Sequence, residues 1–425
     1  GKVVAIVKDG TPASEAGEGD EVSVIVNQTP FYGESGGQMG DTGVMTSGAS
    51  KFNVTETRKV LGDLHVQAGT VASGNLKVGD VVDMTVDAER RDNLRANHSA
   101  THLMHEAMRR VLGDHVTQKG SLVAPDRLRF DISHPSPLTE DEIGAIEDQV
   151  NLQIRRNADV STRLMTPDEA IEAGALALFG EKYGEEVRVV GMGEDQAVNV
   201  QDAPPIFSVE LCGGTHVRRT GDIGLFKIVG QGAVSAGVRR VEAVTAGAAV
   251  HHVNEQEHLL LEAASALKAA PAELPGRISA LVDERKRLER ELAEAKKALA
   301  LGGGAGPANS NDDVKEIGSV KLMARALDGV SAKDLRGLVD DAKKSLGSGI
   351  AAFIAVNEGK AAIAVGVTDD LTGKLNAVDL VRAGAEAIGG KGGGGRPDMA
   401  QAGGPDGDKA ADALSAIEAA VQAAA

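Results

Sequence analysis

Asn97-His-Ser-Ala-Thr-His-Leu-Met-His105 and, far downstream, Cys212-Gly-Gly-Thr-His216 decide how this chain reads. His98 and His102 stand four apart, so on a helix both imidazoles project from one face and can grip one ion. Cys212 is the single cysteine of the chain and precedes His216 by the same interval. Three imidazoles and a thiolate suit Zn²⁺, which favours tetrahedral nitrogen and sulfur donors. His105 lies on roughly the same face, so spacing alone leaves open which histidines bind. Gly213-Gly214 lets the backbone come close to whatever His98 and His102 hold. The paired half-motifs predict a zinc site that staples a helix to a distant strand end.

Working outward, Val3–Val7, Val22–Val26, Phe52–Thr57, Leu64–Val71 and Val81–Val86 are short β-branched runs between turn signals, the pattern of a small barrel. Thr29-Pro-Phe-Tyr-Gly-Glu-Ser-Gly-Gly-Gln38 is too glycine-rich for a strand and reads as a shaped loop. From Glu89 to Leu112 the period is helical. Thr139-x-x-Glu142 is a capping box, and Thr166-Pro-Asp-Glu169 adds Pro at the first helical position. Strand-like segments follow at Leu128–Ile132, Val187–Val190, Ala197–Val200 and Phe207–Leu211. Leu274, Ile278, Leu281, Arg285, Leu288, Leu292, Ala295 and Leu299 alternate by four and three, a heptad seam after breaks at Pro271 and Pro275.

The fold class is therefore α+β multidomain. Residues 1–87 form a small β-barrel module and 88–245 a zinc-containing α+β domain. Residues 246–301 form an antiparallel helical hairpin, 302–313 a Gly/Ala/Pro/Asn/Ser linker, and 314–425 an α/β domain ending in an alanine-rich helix. The Gly389–Pro397 run with Lys391 and Arg396 follows a helix. It fits neither a Walker loop nor a dinucleotide fingerprint, and reads equally as a connector or an anion contact.

At 425 residues, 42% hydrophobic, the chain can build several cores. One cysteine excludes a disulfide framework and fits a reducing cytoplasm. No apolar run reaches transmembrane length. A net charge of −17 argues against a uniformly basic nucleic-acid surface, but the doublets Arg90-Arg91, Arg109-Arg110, Arg155-Arg156, Arg218-Arg219 and Arg239-Arg240 allow local patches. With no Trp and two Tyr, base stacking is poorly supported, so any RNA contact should rest on phosphates. The opening Gly-Lys-Val-Val-Ala, without Met, is what a fragment of a longer chain would present.

Together these motifs resemble the alanyl-tRNA synthetase family, from just after its aminoacylation half to its C-terminus. The resemblance is carried by Thr29–Gln38, Asn97–His105, Gln118-Lys-Gly-Ser121, Arg129-Phe-Asp131, Cys212–His216, Arg239–Val244 and Gly389–Gly404. It implies hydrolysis of alanine tRNA mischarged with serine or glycine. Pockets separate substrates differing by one methyl or hydroxyl by only about 1–3 kcal/mol, so a second, hydrolytic site is the expected solution. By this resemblance His98, His102, Cys212 and His216 are the zinc ligands, and His105 is a helix neighbour. Thr29 and Gln38 line the amino-acid pocket, and Gln118 lies near the scissile ester, with Arg129 and Asp131 as weaker candidates. Lys391, Arg396, Arg239 and Arg240 are candidate tRNA contacts, and the hairpin or last domain a candidate homodimer contact. Four ligands would close the zinc sphere, whereas three would leave room for an activated water.

The resemblance lacks the family's ATP-binding core, so no amino-acid activation is expected of these residues. Two alternatives stand beside it: a stand-alone trans-editing hydrolase, and a non-catalytic zinc-stapled tRNA-binding module. A zinc peptidase is disfavoured, since Ser99 stands where the His-Glu-x-x-His motif has its glutamate.

Overall fold

The computed structural model describes residues 1–172, 175–176, 185–195, 206–300, 314–328 and 330–424. The strand expected at Ala197–Val200 and the linker at 302–313 lie outside these. Residues Gly1–Glu262 form one compact unit and Ala263–Ala425 a second. The chain is of the mixed α+β class.

The first unit opens with β1 (Val3–Lys8), β2 (Thr11–Ala13), β3 (Glu15–Gly17), β4 (Glu21–Val26), β5 (Gly43–Ser47), β6 (Ser50–Val60), β7 (Leu64–Ser73), β8 (Asn75–Lys77) and β9 (Asp83–Val86). Seven of these pair antiparallel in the order β2-β1-β4-β7-β6-β5-β9. At the chain start a Lys2–Val81 bridge brings the entry to β1 against the entry to β9, and the Val3 amide donates to Asp80 O at 2.8 Å. Alternate residues turn inward, and Val24, Phe31, Met45 and Phe52 are buried there.

Next come α1 (Ala88–Leu112), β10 (Gln118–Val123), β11 (Leu128–Ser133), α2 (Glu140–Arg156), β12 (Ser161–Met165), α3 (Pro167–Glu172), β13 (Val187–Glu194), β14 (Ile206–Leu211), β15 (Phe226–Ser235) and β16 (Val238–Thr245). They make a sheet β10-β11-β16-β15 and a sheet β12-β13-β14. Helices α1 and α2 pack over them on Leu103, Met104, Met108, Phe130, Ile146 and Val241. Helix α1 starts where the Asp87 carboxylate accepts from Arg90 N at 3.1 Å, and ends at Gly113, whose φ of 114° few side chains tolerate. Glu89 at its start and Arg109 and Arg110 at its end oppose the helix dipole.

Helix α2 carries the full capping box. Thr139 Oγ1 accepts from Glu142 N at 3.2 Å, and Glu142 accepts from Thr139 N at 2.7 Å. Thr139→Ala is expected to cost about 1 kcal/mol of unfolding free energy. Urea denaturation checks this, and an unchanged midpoint would refute the cap's role.

After α4 (Ala246–Ala266) the proline break forms a short 3₁₀ turn at Pro271–Glu273, and α5 (Leu274–Ala300) follows. The heptad seam is largely uncovered: Ile278, Leu281, Leu288 and Leu292 are 44–57% exposed, although Leu274 is buried.

The second unit continues with β17 (Val314–Ile317), β18 (Val320–Asp328), α6 (Leu335–Leu346), β19 (Ile350–Asn357), β20 (Lys360–Val367), α7 (Ala377–Ala387), β21 (Gly393–Arg396), β22 (Met399–Gly404) and α8 (Ala410–Ala424). The sheet order is β17-β18-β19-β20-β22-β21, parallel only between β18 and β19, which α6 connects. Alternation along β19 decides the two faces. Ala351, Phe353 and Ala355 meet Leu335, Leu338 and Val339 of α6, while Ile350, Ala352 and Ile354 share a core with α7 and α8.

The glycine run, read equally as a connector or an anion contact, holds a strand. Gly393–Arg396 is an edge strand paired with β22. A Cβ on Gly393 would collide with Val381 of α7, so the glycines let the edge lie against a helix. Among the described residues no helix is long and apolar enough to cross a membrane.

Candidate metal centre and adjoining cavity

Helix α1 presents His98, His102 and His105 inward, each under 8% exposed. Cys212 leaves the end of β14, and its amide is held by Arg188 O at 3.0 Å. The Arg188 guanidinium reaches Cys212 O at 2.9 Å and Gly214 O at 2.6 Å, which pins the turn. Gly214 has no substitute here, because a Cβ would run into the His98 ring. One donor atom each from His98, His102, Cys212 and His216 lies within 4.8 Å of the others. Cys212 Sγ is 3.4 Å from His98 Nε2 and 3.3 Å from His216 Nε2. Ligand bonds of about 2.0–2.3 Å give a tetrahedron with edges of roughly 3.5 Å, so the spacing fits zinc. The buried His102 Nε2 has no hydrogen-bond partner among the described residues, as a ligand atom would not. His105 lies outside this group of four.

Each imidazole is turned by a partner at its other nitrogen. His98 Nδ1 donates to Gln38 Oε1 at 2.6 Å, and His102 Nδ1 to Glu210 Oε2 at 2.6 Å. His216 Nδ1 meets the Ser99 hydroxyl at 3.2 Å. Such contacts fix the tautomer that leaves Nε2 bare for a metal. Gln38 Oε1 also accepts from Thr215 N at 2.9 Å, and its amide donates to Thr215 Oγ1 at 2.8 Å. Gln38 arrives on a loop that docks on the edge of β10, where Val123 N donates to Gly37 O at 2.7 Å.

The electrostatics favour a thiolate beside a neutral His216 and a charged His102. Burial opposes it, yet His98 and His102 drive the Cys212 thiol well below its ordinary pKa. Burial, with His98 next, pushes His216 down to about 3. Burial also works against charge on His102, but Glu210 and Cys212 outweigh it and raise its pKa. Glu210, despite burial, is held down to about 2 by His102 and His105. The thiolate and the neutral His216 are in the form a soft divalent ion needs, whereas binding at His102 would release its proton.

Beside the cluster opens a cavity of about 390 Å³, walled by Tyr32, Gly33, His98, His102, His105, Gln118, Ser121, Phe130, Glu210 and Cys212, among others. Gln118 reaches it. Gln38 and Thr29, both expected in the pocket, are not among its described lining residues. Gln38 is fully buried behind His98. The Thr29 hydroxyl accepts from Phe31 N at 3.1 Å inside its own turn and from the Gln67 amide of β7 at 3.4 Å. The hydroxyls in the wall are those of Thr101, Ser121, Ser35 and Tyr32, and burial pushes Tyr32 up to about 12. Glu210 was missed by sequence reasoning, although it stands two residues before Cys212.

The basic candidates lie elsewhere. Arg240 makes a two-pronged pair with Asp131 at 2.8 Å, which commits both residues. Arg239 reaches Gln231 at 3.4 Å. Arg396, on the edge strand, pairs with Asp398 at 3.0 Å, and Lys391 is exposed just before it. Arg129 is not among the described residues lining the cavity.

Comparison with known proteins matches residues 1–90 to the family described as "tRNA synthetases class II (A)". Residues 187–242 match "Threonyl and Alanyl tRNA synthetase second additional domain", and 319–423 the "DHHA1 domain". The chain is 60% identical over 423 residues to an alanine–tRNA ligase of Parvibaculum lavamentivorans, covering 99% of this chain and 47% of that protein. Against the enzymes of Sphingopyxis alaskensis and Rhodopseudomonas palustris the identities are 59% and 58%, with the same two shares. The chain thus spans about half the length of the curated relatives it matches. Among solved structures, the C-Ala domain of Aquifex aeolicus alanyl-tRNA synthetase is 26% identical, covers 26% of this chain and 97% of that one, and superposes with a TM-score of 0.25.

Proposed function

The chain belongs to the alanyl-tRNA synthetase family, and from that premise we propose that it is the part that hydrolyses alanine tRNA wrongly charged with serine or glycine. The observation that carries this reading is the cavity of about 390 Å³ walled by the candidate ligands His98, His102 and Cys212 together with Gln118 and Ser121. His98, His102, Cys212 and His216 would hold zinc, which would supply a fixed positive charge that orients and polarises the acylated tRNA end. Gln118 would hydrogen-bond the ester, and the wall hydroxyls would read a serine side chain. The loop between β4 and β5 of the N-terminal module, read as a barrel, contributes Tyr32 and Gly33 to the same wall.

The rest of the assignment is coarser. The partner is alanine tRNA, with its acceptor end at the cavity, and Lys391, Arg396, Arg239 and Arg240 are proposed phosphate contacts. Where these arginines face carboxylates, phosphate would have to displace them. The exposed Ile278–Leu292 stripe is the proposed side of a helical hairpin or homodimer contact. The parent protein would be a cytoplasmic alanine–tRNA ligase whose ATP-binding part lies in the half that this chain does not match. The twofold length of the ligase relatives favours this over a stand-alone trans-editing protein.

The test is hydrolysis of serine-charged alanine tRNA by the purified chain, by Cys212→Ala and by chelator-treated protein. Hydrolysis by the first alone is expected. An inactive zinc-loaded chain, or an unimpaired Cys212→Ala, would overturn the reading.

A further inference from the structure

The end of the β6–β7 hairpin stands in the cavity wall. Lys59 and His65 sit directly opposite each other on the two strands, and both line the cavity. The hairpin is fixed against the Thr29–Asp41 loop. Glu34 N donates to Thr57 O at 2.9 Å, and the Thr57 hydroxyl donates to Asp41 O at 2.8 Å. Gly33 is bare at this seam, where a Cβ would come to 2.9 Å from the His65 ring and 3.2 Å from Lys59 Cβ. Of the wall residues, Ser35, Gly36 and Lys59 are exposed, whereas His98, His102, His105 and Glu210 are buried. The hairpin end is therefore at the mouth.

Lys59 is the only lysine or arginine among the described residues lining the cavity. Its ammonium pairs with Asp63 at 2.6 Å, but that carboxylate is 91% exposed, so the pair is weak and another anion can take its place. The turn beyond is apolar. Leu61 is 93% exposed and follows the closing pair of Val60 and Leu64, themselves 37% and 38% exposed. Leu61 also has a φ of 48°, a left-handed backbone that bulky side chains disfavour. Neither burial nor backbone preference accounts for a leucine there, which points to a contact outside the fold.

An ester at the end of a nucleic acid shares its terminal nucleotide with a phosphodiester, so an acyl group in the cavity brings that phosphate to the mouth. We infer that the β6–β7 hairpin grips the unpaired acceptor end of the tRNA, with Lys59 on its last phosphodiester and Leu61 against an unstacked base, an inference that rests on the hydrolytic reading above. Lysine suits the task as a flexible point charge. A phosphate contact of this kind positions a strand rather than reads it, so Lys59 is a positioning residue.

The test is binding of uncharged alanine tRNA to the whole, zinc-loaded chain, with and without the unpaired nucleotides of its acceptor end. Wild type should bind the trimmed tRNA about 10–100-fold more weakly, the scale of one charged contact and one base contact. In Lys59→Gln that penalty should shrink by about tenfold. Its log–log salt dependence on intact tRNA should become shallower by about 0.7, which a merely structural role would not move. Lys59→Arg should restore both. Leu61→Ser, at a fully solvated tip, should shrink the penalty with no change in salt slope. Equal binding of intact and trimmed tRNA by wild type would overturn the inference, and so would a full penalty in Lys59→Gln. Hydrolysis of serine-charged tRNA is followed on the same samples. An inactive chain that keeps the Lys59-dependent penalty would overturn the hydrolytic reading but not the grip.

Discussion

Replacing Asp41 with alanine is expected to destabilise the first unit by about 3–5 kcal/mol, the cost of stranding one member of a buried ion pair. Asp41 is 1% exposed. Arg91 of α1 grips it through Nε at 2.8 and 2.9 Å, and through Nη2 as well. Asp41 also accepts from Tyr32 N at 2.6 Å, so a single carboxylate fastens the Thr29–Asp41 loop to the helix that carries the candidate ligands. Alanine would leave a guanidinium and a backbone amide facing the gap. Since domains are stable by only about 5–15 kcal/mol, the loss is a large share of the total. Urea denaturation of wild type and Asp41→Ala reads it directly, and a difference below about 1 kcal/mol, the scale of an exposed pair, would refute the clamp. Arg91→Met in the Asp41→Ala background should recover much of the loss, because it removes the unpaired charge.

Glu210→Gln is expected to weaken metal binding by about 10–100-fold, the usual effect of removing a partner that orients a ligand. The carboxylate accepts from two imidazole N–H groups at once. An amide has one oxygen, so its NH₂ must face one of those N–H donors, and one ring has to turn or change tautomer. The variant should therefore lose ester hydrolysis as well. Competition with a chromophoric chelator measures the affinity, and isosteric glutamine keeps the volume, so a folding defect would not mimic the result. Unchanged zinc affinity would remove Glu210 from the site's support.

Much of this architecture was legible because its signals are local. The capping box at Thr139 and Glu142 needs only residues three apart, and the histidine pair needs only helical spacing. Strands such as Ile350–Asn357 and Ile206–Leu211 announce themselves by β-branched and aromatic runs. The glycine-bearing strands were not legible. Gly43–Ser47 is not among the strand-like runs, and Gly393–Arg396 reads equally as part of a connector or an anion contact, because what selects glycine there is a neighbouring backbone or helix. The role of Glu210 was equally hidden: among 62 acidic residues nothing in its own neighbourhood foretells two histidines from a distant helix. Gln38 and Thr29 illustrate the limit of motif transfer. A motif says which residues matter together, while burial and hydrogen bonding decide which of them face the cavity.

The Gln38 side chain has a consequence for how this molecule can be cut. It ties the loop after β4 to α1 and to the Cys212–His216 turn, so three chain segments meet at one amide. A protease nick or an engineered boundary near residue 87 would leave every proposed ligand on the larger piece. It would also remove the group that aims His98. Metal retention by the intact protein, compared with a piece starting at Ala88, thus becomes a gauge of whether the N-terminal strands have docked. Chimaeras assembled from relatives should exchange the strands and the helix as one cassette.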